Sequence, residues 1–409
     1  MSKIHVSPEK QLEELMLGVD EVISKEELLE QLKNSYTTQK PLNIKLGADP
    51  SRPDIHLGHT VVLNKLRTLQ NFGHHVTFII GDFTAMIGDP TGRNKTRPAL
   101  GLEEIKKNAI TYKEQVFKIL DPKKTTVVFN STWLEKLTPM DFVKLLASRT
   151  VQQLLARDDF SKRYEKNVPI FLHEFVYPIL QAYDSVEIKA DIEVGGTDQK
   201  FNLLVGRELQ KQKGQKGQSL IIFPLLEGLD GVQKMSKSLD NYIGITDSPE
   251  QIFGKIMSIS DPLMIKYYRL LSRKGKDTID ALLKDLEKEA LHPMEAKKNL
   301  AEEITGHYWG EDQAQEARKN FEAVFSNKKL PEDIKEHVIK IGKENKINLL
   351  NISMEVGFSQ SKSEARRILK QNGIKIDGKT HKEEWLVVEK NKSYIFKQGK
   401  LKIIKLVIE

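Results

Sequence analysis

The feature that most narrows the fold is a change of hydrophobic period near residue 42. Before it, Leu12, Leu15, Met16, Val22, Leu28, Leu29 and Leu32 fall at helical spacing, which predicts packing helices over residues 9–34. After it, "LNIKLGAD" reads as a short strand, and "LGHTVVLNKLRTLQNFG" as a helix with Val62, Leu63, Leu66 and Leu69 on one face. "HVTFIIGD" then reads as a second, buried strand. Two strands joined through a helix pair in parallel, so the fold class is α/β, with ligands expected at the carboxyl ends of the strands. "TTVVFN" and "SLIIFPLLEG" continue the alternation.

From about Ser248 to Lys328 the pattern is mainly helical, and "NKKLPEDIKEHVIKIGKENK" reads as a charged linker with residual helix. A last module begins near Ile347. Within it Ser361 and Glu364 fit a capping box, Lys362, Arg366 and Lys370 share one helix face, and Ala365, Ile368 and Leu369 share the other. Asp-Gly in "IKIDGKT" predicts a hairpin turn, followed by alternating strands.

Composition excludes several classes. A chain of 409 residues with 39% apolar and 30% charged residues is an ordinary globular protein of two to three domains. It has no cysteine, which removes disulfides, thiolate zinc sites and cysteine nucleophiles. "MSKIHVSPEKQLEELM" has no apolar signal core, and no run approaches the ~18 apolar residues of a membrane span, so a cytoplasmic location is expected. The net charge is +7, and residues 348–409 hold 13 Lys and Arg against 7 Asp and Glu, so all but one unit of it lies there. A basic end module beside a nearly neutral body suits a polyanion, and a basic helix face beside a small sheet suits RNA.

In "GADPSRPDIHLGHT", His56 and His59 stand where the first strand hands over to its helix, with Gly58 between them allowing close approach to the backbone. Imidazoles at a helix N-terminus suit nucleotide phosphates, although two histidines there can also simply cap or pack the helix. No third ligand pattern accompanies them, so no resident metal site is expected. There is no GxxxxGK[ST] and no GxGxxG, and "HEFVY" puts Tyr177 where a zincin would need histidine. A distant cationic loop, "DGVQKMSKSLDNYIG", supplies Lys234 and Lys237, three residues apart and able to turn towards one pyrophosphate.

"HLGH" followed by "KMSKS" resembles the signature pair of class I aminoacyl-tRNA synthetases. "YPILQAYDSVEIKADIEVGGTDQKFN" resembles the bacterial tyrosyl-tRNA synthetases within that class. The resemblance extends to the basic tail and covers essentially the whole chain. It implies a Rossmann-like parallel-sheet catalytic domain over 1–247 with an insertion at about 120–185, then a helical anticodon-arm domain over 248–328. A linker over 329–346 and a small α+β RNA-binding domain over 347–409 complete the chain. The implied reaction joins L-tyrosine to its tRNA through a tyrosyl-adenylate, with Mg-ATP as substrate and a homodimer as the working form. Alternatives are tryptophan specificity, a small-molecule adenylyltransferase with His-x-Gly-His, and an RNA-binding descendant without catalysis.

Carried over by position, the resemblance gives Tyr177, Gln181 and Asp89 to the substrate's α-amino group and Asp184 to the phenolic hydroxyl. Gly196 and Asp198 serve the ribose and adenylate, and Gln199 the carboxyl end. Asp49 faces both substrates, and Ser51 with His56 serves the pyrophosphate. His59, Gly58, Lys234, Lys237 and Ser238 complete the ATP set, while Lys362, Arg366, Arg367 and Lys370 face RNA. Independently, Tyr177, Gln181 and Asp184 are spaced i, i+4, i+7, so a helix presents all three on one side. Where many members have a tyrosine that gives the substrate hydroxyl a second bond, this chain has Lys45. The resemblance leaves open whether another protein group, water or Lys45 itself takes that role.

Overall fold

The computed structural model describes residues 3–50, 55–91, 101–326, 336–339, 341, 345–359, 361–399 and 402–409. It divides into two compact units, Met1–Phe321 and Glu322–Glu409, each with its own apolar core.

In the first unit six strands form one sheet: β1 (Glu21–Ile23), β2 (Asn43–Ala48), β3 (His75–Ile80), β4 (Thr125–Phe129), β5 (Ile192–Gly196) and β6 (Ser219–Phe223), in the order β1-β6-β5-β2-β3-β4. All pairings are parallel except that of β1 with β6. Every residue of β6 and nearly all of β3 are buried, as in strands covered on both faces. One face is apolar: Ile44, Val76, Phe78, Ile192, Val194 and Ile221 share a core with Leu57, Val61, Leu66 and Leu69 of helix Leu57–Asn71. Strand alternation sends Lys45, Thr77 and Glu193 to the other face, where all three are buried. The strand order reverses between β2 and β5, which opens a crevice at their carboxyl ends.

The 9–34 reading is corrected at one point. Between helices Pro8–Leu15 and Lys25–Thr38 lies β1, a three-residue edge strand too short to show a period of its own. Helices Pro249–Met257, Asp261–Leu271, Lys276–Glu287, Pro293–Trp309 and Glu311–Ser326 follow the sheet. Several begin with a capping side chain and proline in the first turn: Ser248 before Pro249, Ser260 before Pro262, His292 before Pro293. Ile252, Phe253, Met264 and Leu300 belong to the same core as the sheet.

The second unit has a five-stranded sheet ordered β10-β9-β12-β13-β7 and a β11-β8 pair. These are β7 (Glu336–Ile339), β8 (Lys346–Asn348), β9 (Ile374–Ile376), β10 (Lys379–Thr380), β11 (Trp385–Val387), β12 (Ser393–Gln398) and β13 (Lys402–Ile408). Asp377 and Gly378 take φ of 49° and 79° between β9 and β10, the positive pair that the predicted hairpin turn requires. The linker reading with residual helix is corrected at 336–339, which form a strand parallel to β13. Four residues, Glu-His-Val-Ile, are too few to show a strand period among the charges around them. Among the described residues no helix is long and apolar enough to cross a membrane.

Candidate active site

His56 is the N-cap of helix Leu57–Asn71: its Nδ1 accepts from Gly58 N at 3.1 Å, and its own N–H donates to His59 Nδ1 at 3.2 Å. The rings lie 3.9 Å apart. Burial, with the charges of His59 and Lys237, pushes the His56 pKa down to about 2, and desolvation at the recessed ring with the charge of Lys237 pushes that of His59, whose residue keeps an exposed edge, down to about 4. Both are therefore neutral near pH 7. With each Nδ1 occupied as an acceptor, the proton sits on Nε2, so each ring keeps one donor. Capping thus leaves one N–H free on each ring. Gly58 is needed here, because a Cβ would stand 2.9 Å from the His56 ring.

The lysine loop reaches this helix through a short antiparallel clasp: Leu57 N donates to Ile243 O at 2.9 Å and Ile245 N to Ile55 O at 3.1 Å. The sequence gives the loop no apolar face, yet Met235 is buried and its N–H donates to Leu226 O at 2.7 Å. Asn241, also buried, accepts from Ser236 N and donates to Asp230. This anchoring leaves Lys234 and Lys237 at a cavity of about 430 Å³ lined also by Gly47, His56, Gly58, His59, Gly196, Asp198, Gln199 and Ser238. Lys234 Nζ is 3.5 Å from Asp198 Oδ2, whose carboxyl is shifted up by burial. Lys237 stands 5.5 Å from the centre of the Tyr242 ring.

A second cavity of about 240 Å³ shares Gly47, Ala48, His59, Tyr112 and Gln199 with the first, so the two meet at the end of β2. Its walls include Asp49, Asp89, Tyr177, Gln181 and Asp184. The last three come from helix Leu172–Glu187, as their spacing predicts. That helix is held at its start by the buried pair Arg163 and Glu174. A chain of hydrogen bonds runs round the cavity. Tyr177 donates to Asp49 at 2.9 Å, Thr84 to Asp49 at 2.7 Å, and Asn130 to Thr84 at 3.1 Å and to Asp184 at 3.3 Å. Trp133 Nε1 closes it on Asp184 at 2.8 Å. On the other wall Asn202 donates to Gln181 at 2.8 Å and Gln199 to Asp89 at 2.9 Å. Burial raises the Asp184 carboxyl to about 6 against the charge of Lys45 and the donors Trp133 and Asn130. Burial and the nearby carboxylates lift the Tyr177 phenol well above its ordinary range, so it stays a donor.

Every proposed amino-acid contact lines the smaller cavity, and the ATP set lines the larger, except Asp49, which lies in the smaller, and Ser51, which lies outside the described residues. Lys45 lines neither. Its ammonium bonds Gln181 O, Ser185 Oγ and Glu193 instead, which removes Lys45 from the partners left open for the hydroxyl. Thr84, Asn130, Trp133 and Asn202 were missed. Of these Asn130 and Trp133 could have been found, since "NSTW" directly follows a parallel strand at its ligand-facing end. Lys362, Arg366, Arg367 and Lys370 are exposed on helix Lys362–Lys370 of the second unit, with Ala365 and Leu369 buried beneath. Arg366 there holds a two-bond ion pair with Glu384. Among the described residues no group of three or more His, Asp or Glu side chains is placed to hold a metal ion.

Comparison with known proteins gives consistent results. The family described as tRNA synthetases class I (W and Y) matches residues 37–326. A tyrosine-tRNA ligase of Bdellovibrio bacteriovorus is 47% identical over 406 residues, covering 99% of this chain and 100% of that protein. Another, of Geobacter metallireducens, is 50% identical over 404 residues, covering 99% and 100%. Tyrosyl-tRNA synthetase of Archaeoglobus fulgidus, solved with L-tyrosine, has a similar fold, with a TM-score of 0.62 at 24% identity over 76% of this chain and 99% of that one.

Proposed function

Since the chain belongs to the class I tRNA synthetases of the tryptophan and tyrosine group, and within it to the tyrosine-tRNA ligases, we propose that its two joined cavities carry out the two steps of tyrosyl-tRNA formation. The enzyme ligates tyrosine to tRNA at the expense of ATP. The observation that carries the site assignment is the shared wall at Gly47, Ala48, His59 and Gln199: a carboxylate in the smaller cavity comes within reach of a phosphate in the larger.

In the first step the tyrosine carboxylate oxygen attacks the α-phosphorus of ATP, the bond to the bridging oxygen breaks, and pyrophosphate leaves. In the second a ribose hydroxyl at the tRNA terminus attacks the carbonyl carbon and displaces AMP. No protein nucleophile is required. Catalysis lies in alignment and in donors aimed at charge growing on the phosphates. The two Nε2–H groups of His56 and His59 supply neutral donors there, and Lys234 and Lys237 supply charge. Mg2+ enters as the counter-ion of ATP. Asp198 accepts from the ribose, and Gly196 lets it approach.

The Asp184 carboxylate accepts a hydrogen bond from the phenolic hydroxyl, and the donors Trp133 and Asn130 keep it turned into the cavity. Phenylalanine would leave that buried carboxylate short of a partner, at a cost of about 2 kcal/mol or more. The basic face of helix Lys362–Lys370 takes tRNA phosphates. In the 120–185 insertion, Met140, Val143, Val151, Tyr164, Phe171 and Leu172 are exposed apolar side chains, which supports a homodimer formed there. The test is amino-acid-dependent ATP-pyrophosphate exchange without tRNA. Exchange with tyrosine alone is expected; exchange with tryptophan, or none, would overturn the assignment of Tyr177, Gln181 and Asp184.

A further inference from the structure

One buried charge takes no part in the chemistry above. Lys45 is fully buried in β2, and its ammonium has three partners: Gln181 O at 2.9 Å, Ser185 Oγ at 2.6 Å and Glu193 Oε1 at 2.8 Å. Those bonds use all three of its donors. Glu193 lies directly across the parallel β2–β5 pair, and its other oxygen accepts from Ser185 Oγ at 3.1 Å and from Gln218. The ion pair therefore fastens two adjacent strands to one turn of helix Leu172–Glu187, the turn that carries Gln181 and Asp184.

Stability does not account for this arrangement. Removing two charges from water costs roughly what their attraction returns, and well-packed neutral side chains hold a core equally well. A charged, fully bonded pair does supply a fixed separation between sheet and helix. It also places a positive charge near Asp184, where it opposes protonation of that carboxylate, Glu193 acting in the other sense.

We propose that Lys45, with Glu193, is a positioning residue for amino-acid recognition: its bonds to Gln181 O and Ser185 Oγ set the depth and angle at which Gln181 and Asp184 enter the smaller cavity. This rests on the reading of that cavity as the tyrosine site. The partner of the tyrosine hydroxyl is then Asp184, and Lys45 acts on it from behind.

The test uses the full chain with Lys45→Met and Glu193→Gln combined, which removes both charges and leaves none stranded. The expected result is a melting temperature close to wild type, with the tyrosine KM raised about ten- to a hundredfold, as a displacement of an ångström produces. The ATP KM stays unchanged, and the preference for tyrosine over phenylalanine falls. A folded double variant with wild-type tyrosine KM and preference overturns the proposal. Should that variant not fold, Ser185→Ala carries the test, because it keeps both charges and removes one bond to the helix. A several-fold rise in tyrosine KM supports the proposal, and no change overturns it. Wild-type protein that fails to exchange with tyrosine overturns the cavity reading together with this proposal, whereas an active wild type beside an unaffected variant overturns only the role of Lys45.

Discussion

Trp133 Nε1 donates to Asp184 Oδ1 at 2.8 Å, across the back of the smaller cavity. The bond favours the ionised carboxylate, whose pKa burial has raised to about 6. Tyrosine affinity should therefore weaken as pH falls through about 6, because a protonated Asp184 no longer offers two acceptor oxygens. Trp133→Phe removes the donor and should move that midpoint upward towards neutrality, which the tyrosine KM measured from pH 5.5 to 8 will show. An unmoved midpoint would sever Trp133 from recognition. Asp184→Asn should narrow the tyrosine-to-phenylalanine ratio at every pH.

Lys234→Ala and Lys237→Ala should each lower the rate of adenylate formation by about a hundredfold or more, the usual cost of one transition-state donor, with tyrosine affinity nearly unchanged. Rapid-quench kinetics with tyrosine binding measured separately will distinguish the two effects. An equal loss of tyrosine binding would contradict the phosphate role.

Gly47 has no atom within 4 Å of where a Cβ would stand, yet it lines both cavities. Gly47→Ala should leave the melting temperature unaltered and raise the KM of both substrates, since the added methyl occupies space at their junction. A fall in melting temperature with unchanged KM values would reverse this reading.

His56, His74 and His307 are held neutral chiefly by burial, at about 2, 4 and 3. The unfolded chain binds their protons near 6.5, so stability should fall as pH drops below that value. Asp184 acts in the opposite sense: the folded state binds its proton between about 6 and 3.8 while the unfolded chain does not, which offsets part of the loss. Melting temperatures from pH 7.5 to 5 should therefore decline overall. A flat profile would mean that the imidazoles are charged in the folded protein.

Lys362→Ala and Lys370→Ala should weaken tRNA binding and reduce its log-log salt slope by about one each, without changing pyrophosphate exchange. Arg366→Ala should do less, because Glu384 already neutralises that charge. Filter binding across a salt series gives the slopes.

The sequence made legible whatever repeats or stands in a short motif. Alternation of strand and helix from Leu42 onward located the parallel sheet, and "HLGH" with "KMSKS" located two sides of the larger cavity. Tyr177, Gln181 and Asp184 showed themselves through helical spacing. What stayed hidden depends on contacts between distant segments. Nothing near Lys45 in the chain announces Glu193, almost 150 residues away, and no local pattern ties Thr84 to Asp49 or Asn130 to Asp184. β1 and β7 were too short to show a period, and only their partners β6 and β13 make them strands.

The clasp between Ile55–Leu57 and Ile243–Ile245 joins the capped end of the histidine helix to the downstream root of the lysine loop. Met235, tied at Leu226, stands between Lys234 and Lys237, so the loop is fixed in its middle as well as at its downstream root, and what stays free to reorient is the lysine side chains. The rung that flanks His56 is thus also the rung that seats the lysine loop, so the two signature motifs share one anchorage although 174 residues of chain lie between them.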